Sequence, residues 1–96
     1  HKPAAVISSS RRAGSVTSMD VLNKHLSISE MPIVTSNYWN EVHGHTPSDV
    51  EQDIEGLDTM YALGKNMAWM LKCIEAGKKA VIEVPQNKKR ATNFIR

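Results

Sequence analysis

The apolar run Ala4-Ala5-Val6-Ile7 passes straight into Ser8-Ser9-Ser10-Arg11-Arg12-Ala13-Gly14, and a second short apolar run, Pro32 to Thr35, lies one helix further on. Short apolar runs bounded by turn residues read as strands buried on both faces. Pro3 to Ser9 is the first such strand and Pro32 to Thr35 the second. Between them Met19, Leu22 and Leu26 recur at helical spacing and form one face. Ser18 is placed to cap this helix, with Asp20 in its first turn, where the helix dipole favours a negative charge. The helix ends near Ser29. Strand, helix and strand within about 35 residues make a βαβ unit, whose strands run parallel with a right-handed crossover. Ligands of open α/β sheets bind outside the carboxyl ends of the strands. The Ser8 to Ser18 loop is therefore a candidate ligand loop. A buried strand and its ligand loop at the very start read as the second half of a larger domain.

Past the second strand, Ser36 to Pro47 is a loop holding Tyr38, Trp39, Asn40, His43 and His45. Ser48 and Glu51 form a capping-box pattern. A long helix is predicted from about Glu55 to Ala76, stopped by Gly77. Its stripe Leu57, Met60, Tyr61, Met67, Ala68, Leu71 and Ile74 is predicted to face the sheet, with Gly64 allowing close approach. A second arc, Leu63, Trp69, Met70 and Cys73, lies opposite and needs another partner. Val81 to Val84 reads as a short extended segment, and residues 85–96 as a basic, loosely ordered tail after a domain over residues 1–84. Two parallel strands and two main helices cannot cover both faces of a parallel sheet. Missing strands or a second subunit would both answer that deficit.

Composition narrows the function classes. Ninety-six residues allow one small domain at most. A 41% hydrophobic and 23% charged composition is that of an ordinary globular chain. A net charge of +2 is too small to imply a nucleic-acid partner. The lone Cys73 cannot make an internal disulfide, which favours a reducing compartment. No apolar run approaches the roughly 20 residues of a membrane span, and no signal pattern opens the chain. A cytoplasmic protein is expected, with no membrane partner.

Four stretches carry a resemblance: Ser8 to Gly14; Tyr38-Trp39-Asn40-Glu41-Val42-His43-Gly44; Asp53-Ile54-Glu55-Gly56-Leu57; and Leu63-Gly64-Lys65-Asn66-Met67-Ala68-Trp69. In this order and spacing they resemble the C-terminal half of the NADPH-dependent FMN reductase family. These are flavodoxin-like α/β flavoproteins related to iron-sulfur flavoproteins and FMN-dependent quinone reductases. The ending Thr92-Asn93-Phe94-Ile95-Arg96 also looks like a family C-terminus. The resemblance implies a five-stranded parallel sheet of about 180 to 200 residues, within ordinary domain size. This chain would supply its last two strands and last two helices. The first phosphate loop would lie in the other half.

The resemblance also implies a cofactor. FMN needs N–H donors for its phosphate, a flat wall for its ring and hydrogen bonds that tune the ring. Ser9, Ser10, Arg11, Arg12, Ala13 and Gly14 offer closely spaced N–H groups and two cations that would stabilise the reduced ring. Read without the family, the same loop is equally a solvated turn. Tyr38 and Trp39 follow a strand, where they can wall the flavin; packing against a neighbouring subunit is the equal alternative. Related quinone reductases place a His near the flavin where this chain reads Ile28-Ser29-Glu30-Met31, so no His is carried over.

No residue is assigned a catalytic role, because flavin hydride transfer is the cofactor's own chemistry. His43, His45, His25 and Cys73 lack the spacing of a zinc site, so no metal is expected. Cys73 reads as a helix-packing residue. The expected function is part of an oxidoreductase passing hydride from NADPH or NADH through FMN to a quinone, flavin or other small acceptor. The second apolar arc on the long helix predicts a homo-oligomer. The alternative is a non-enzymatic half-domain that cannot bind FMN alone and serves assembly.

Overall fold

Two stretches of backbone pair in parallel and set everything else. A computed structural model describes residues 1–95. Strand β1 (Ser8–Ser10) pairs in parallel with β2 (Glu41–His43), with Ser8 opposite Glu41 and Ser10 opposite His43. Further back along the same two stretches, Ala4 forms an isolated parallel bridge with Ile33. Ala4 N–H donates to the Pro32 carbonyl at 3.0 Å, and Val34 N–H donates to the Ala4 carbonyl at 2.8 Å. The chain is therefore mixed α/β with a two-stranded parallel sheet.

The pairing differs from the sequence expectation in one respect. The regular part of the first strand is only Ser8–Ser10, at and just past the end of the expected Pro3–Ser9 strand, and its regular partner is Glu41–His43 rather than Pro32–Thr35. The segment from Thr35 to Trp39 bows out between the two paired stretches. Polar residues extend the strands because their backbone groups find ladder partners whatever their side chains. Apolar periodicity does not report such pairing.

Helix α1 (Ser15–Ile28) starts three residues before the expected cap. Its N-cap is Gly14 in the left-handed region (φ 97), with no side chain capping it. Ser18 Oγ instead donates back to the Gly14 carbonyl at 3.0 Å. Asp20 thus falls beyond the first turn, which carries no acid. α1 packs on β1, burying Met19 and Ser15.

Helix α2 (Pro47–Val50) is capped by Thr46 rather than Ser48. Thr46 Oγ1 accepts from Asp49 N–H, and Asp49 Oδ2 accepts from Thr46 N–H at 2.8 Å. Pro47 occupies the first turn, where its missing N–H costs nothing. Helix α3 (Ile54–Lys79) runs straight through Gly77. It ends instead at Val81, which takes φ 59 while Ile82 N–H returns to the Gly77 carbonyl at 2.9 Å. α1 ends the same way, with Glu30 at φ 55 and Met31 N–H returning to Leu26. Both ends are Schellman turns built without glycine. Residues 82–95 hold no helix or strand, so the extended segment at Val81–Val84 does not form. Arg96 of the predicted tail lies outside the described residues.

The long helix is turned by part of a turn from the expected stripe: Leu57, Met60, Met67 and Ile74 of that stripe are half-buried, and Leu63 and Met70 of the second arc join them. α3 buries Gly56, Thr59 and Leu63 against β2, with Met60, Met67, Met70 and Ile74 half-buried along the same line. Tyr61, Ala68 and Leu71, predicted to face the sheet, are exposed. Gly64 touches nothing, whereas a Cβ at Gly56 would sit 3.0 Å from Val42 Cγ1. Close approach therefore happens at Gly56. Cys73 is exposed and does not pack.

The buried core is small: among the described residues Met19, Val34 and Leu63 are the buried hydrophobic ones. The radius of gyration is 17.3 Å, against about 12 to 13 Å for a compact domain of this length. Principal extents of 49 × 47 × 17 Å describe a plate.

Two outcomes follow for stability. Gly64→Ala should stabilise the isolated chain by about 0.5–1 kcal/mol, since alanine removes backbone entropy in a helix and meets nothing there. Leu63→Ala should cost about 2–5 kcal/mol through the cavity it leaves. Urea unfolding followed by circular dichroism measures both; equal small effects would overturn the face assignment.

Candidate functional site

The carboxyl ends of β1 and β2 emerge together, and the residues beyond them form the candidate site. Gly44 N–H donates to the Ser10 carbonyl at 3.1 Å, extending the parallel pairing past β2. Ser10 also accepts from Ser15 Oγ at 2.7 Å, which ties the strand end to the first turn of α1. The loop between them, Arg11, Arg12, Ala13 and Gly14, is exposed. Ser9 is exposed and Ser10 half-buried. The first-turn N–H groups of α1 meet no side-chain cap and no acid. With Arg11 and Arg12 directly before them, this edge favours an anion.

Tyr38 and Trp39 stand before β2, and Tyr38 shares a small pocket with His43, Asp53 and Gly56. The predicted cofactor residues fall in two places: Ser9 to Gly14 at the carboxyl end of β1, and Tyr38-Trp39 on the bowed segment before β2. What stands beside Ser10 is His43-Gly44. The two rings lie 6.1 Å apart, inclined by 52°, and are 59% and 54% exposed. They wall a cavity of about 440 Å³ against α1, where Val16, Met19, Asp20 and Asn23 face them.

Asn40 holds the bowed segment in place. Its Nδ2 donates to the Val6 carbonyl at 3.1 Å, its own carbonyl accepts from Ser8 N–H at 3.0 Å, and Ser36 Oγ donates to its Oδ1 at 2.6 Å. One side chain thus replaces the ladder that the bow interrupts. Asn66 Nδ2 on α3 donates to the Thr35 carbonyl at 2.7 Å and fixes the other end of the bow.

Asp53 organises the far side of the edge. Its Oδ2 accepts from His43 N–H at 2.6 Å and its Oδ1 from Gly56 N–H at 3.0 Å, so one carboxylate caps α3 and anchors the end of β2. His43 Nδ1 lies 3.8 Å from the same Oδ2. The His43 backbone N–H, then the Gly56 N–H and finally the nearby imidazole hold the Asp53 pKa below the usual carboxylate value. Asp49 is lowered likewise by the Thr46 backbone and hydroxyl and by the His45 N–H. Both acidic partners accept backbone N–H bonds, and no cluster of three or more ligating side chains gathers among the described residues. The Asp-x-x-Gly spacing of Asp53 and Gly56 was the available signal for the cap. No described helix is long and apolar enough to cross a membrane.

Gly44 is confined by its neighbours: a Cβ there would lie 2.7 Å from both Val50 N and Val50 Cγ2. The backbone atom cannot move aside without shifting α2.

No family model matches the sequence, and neither a curated protein nor a solved structure matches it significantly.

Gly44→Ala should therefore cost about 1–3 kcal/mol and displace α2, read as lost amide-exchange protection over residues 46–53. Acid should loosen the same edge. Because the folded pKa values of Asp49 and Asp53 are lowered, their contribution is complete above about pH 4 and fades as pH falls through the lowered values. Asp53→Asn should flatten this acid-side loss. An unchanged pH profile of unfolding would remove Asp53 from the edge.

Proposed function

We propose that this chain is part of an FMN-dependent NAD(P)H oxidoreductase with a flavodoxin-like sheet, contributing the ring-side loop of the flavin site. The observation that carries the reading is the Arg11-Arg12-Ala13-Gly14 loop, which joins the end of a parallel strand to an uncapped helix N-terminus without an acidic first turn. Backbone N–H groups and two guanidinium groups there suit the negative charge that a reduced flavin carries at its pyrimidine edge. The family resemblance supports the same placement. FMN, when bound, supplies the hydride chemistry. This chain's residues orient the ring, stabilise its charge and shape access for NADPH or NADH and for a quinone, flavin or other small acceptor. Tyr38 and Trp39 stand on the bowed segment before β2 and offer the ring wall.

Assembly is the second reading, favoured by the outward line Tyr61, Gly64, Ala68 and Leu71 on α3. Such a line of apolar and small residues suits a homo-oligomer contact. In this reading the chain serves as a structural half-domain.

Colour and turnover separate the two. The natural gene product, purified at its full encoded length, should carry FMN and oxidise NAD(P)H. Arg12→Ala should weaken flavin retention by about tenfold, a loss of about 1.4 kcal/mol typical of a charge-assisted contact. The 96-residue chain alone should bind FMN more weakly than about 1 μM, since one loop offers only part of the donors a phosphate and ring require. A colourless full-length product without NAD(P)H oxidation would overturn the enzyme reading. Sedimentation of that colourless species, with and without Leu71→Glu, then tests the assembly reading.

A further inference from the structure

The outward face of α3 carries a charge pattern that gives a contact there a direction. Leu57, Tyr61, Gly64, Ala68 and Leu71 follow one another at alternating steps of four and three residues. That is the spacing of a seam between two packed helices. Tyr61 and Leu71 are 70% and 51% exposed, and a Cβ on Gly64 would touch nothing in its own chain. One flank of the seam is formed by Asp58, Lys65, Lys72 and Lys79, all exposed. Their charges divide along the helix, with acid near its start and lysine from the middle onward. Among the described residues Asp58, Lys65 and Lys72 have no ion-pair partner, whereas Lys79 lies 3.8 Å from Glu75. The helix's own dipole does not explain the division, because its influence fades within the first and last turns. Asp58 and Lys72 stand outside both turns of the Ile54–Lys79 helix.

We propose that α3 pairs with α3 of a second copy of this chain, antiparallel, about a two-fold axis at the level of Asn66. The proposal rests on the assembly reading of this face and adds its direction and register. Tyr61 of each copy then meets Leu71 of the other, and Gly64 meets Ala68, so the axes come closest where the side chains are smallest. Asp58 of each copy lies beside Lys72 of the other, and the two-fold axis makes this contact twice. A parallel pair would instead set Asp58 against Asp58 and Lys72 against Lys72, which like charges disfavour. Lys65 faces its own copy near the axis, and that contact alone works against the pair. α3 starts beside the end of β2. The two Arg11–Gly14 edges therefore stand at opposite ends of a seam about 39 Å long for 26 residues.

Sedimentation of the full 96-residue chain is the test, with circular dichroism to confirm that each variant keeps its helices. The chain should form a dimer that Leu71→Glu dissociates. Asp58→Lys and Lys72→Glu should each weaken the dimer about tenfold, since two exposed ion pairs turn into repulsions at once. The double variant carrying both changes should regain the affinity of the unaltered chain, a rescue that damage to the fold would not produce. Lys65→Ala should tighten the dimer by about threefold. A dimer indifferent to both single reversals, or one that the double variant fails to restore, would overturn the antiparallel register while leaving assembly through Leu71 in place. A monomer at every concentration, or a dimer that Leu71→Glu leaves intact, would overturn the proposal and the assembly reading together.

Discussion

The structure hangs on the parallel pairing of residues 4–10 with residues 33–43, and on Asn40 where that pairing breaks. A parallel ladder has no turn to fix its register, so something must hold it when part of the partner bows away. The Asn40 carboxamide takes the Val6 carbonyl while its own backbone takes Ser8 N–H. With that clasp the strands stay aligned on either side of the bow. Without it the Ala4–Ile33 bridge and the three-pair ladder of β1 with β2 would be independent contacts. The register in turn decides which loop emerges beside which: Ser10 beside His43 and Gly44, and the two aromatic rings well before them.

Asp53 extends this order to the long helix. A single carboxylate accepts from the end of β2 and from the first turn of α3, so strand and helix start from one point. Gly56 then lets the helix backbone approach Val42, and Leu63 lands on the sheet two turns later. The direction of the helix is thus set at its first residues rather than by its broad apolar stripe. α1 packs on β1 and α3 on β2.

Much of the plan was legible in the residues. The order of elements, the parallel relation, the extent of α1 to near Ser29 and the existence of the long helix all follow from short apolar runs and helical spacing. The misreadings share a cause. Ser8–Ser10 and Glu41–His43 pair through backbone groups, which leave no mark in side-chain periodicity. Gly14 and Thr46 displaced Ser18 and Ser48 as caps because several cap-competent residues stood within three positions of each other. Counting apolar residues misplaces the stripe on α3, because the narrow side of the helix, Gly56 and Thr59, is buried. The split of the candidate cofactor residues between two places comes from the bow, an insertion-like feature with no apolar period of its own.

A body only 17 Å through its shortest axis has a consequence for its charges. Nearly every ionisable group lies within one side chain of bulk water, where field lines escape and ions gather. Long-range steering of one charge by another is damped on both faces. The chain's electrostatics must then be contact electrostatics, written in N–H groups pointed at single oxygens. Any surface that laid itself over this plate would change that at once, turning mild charges into strong ones by shutting out the solvent that now mutes them.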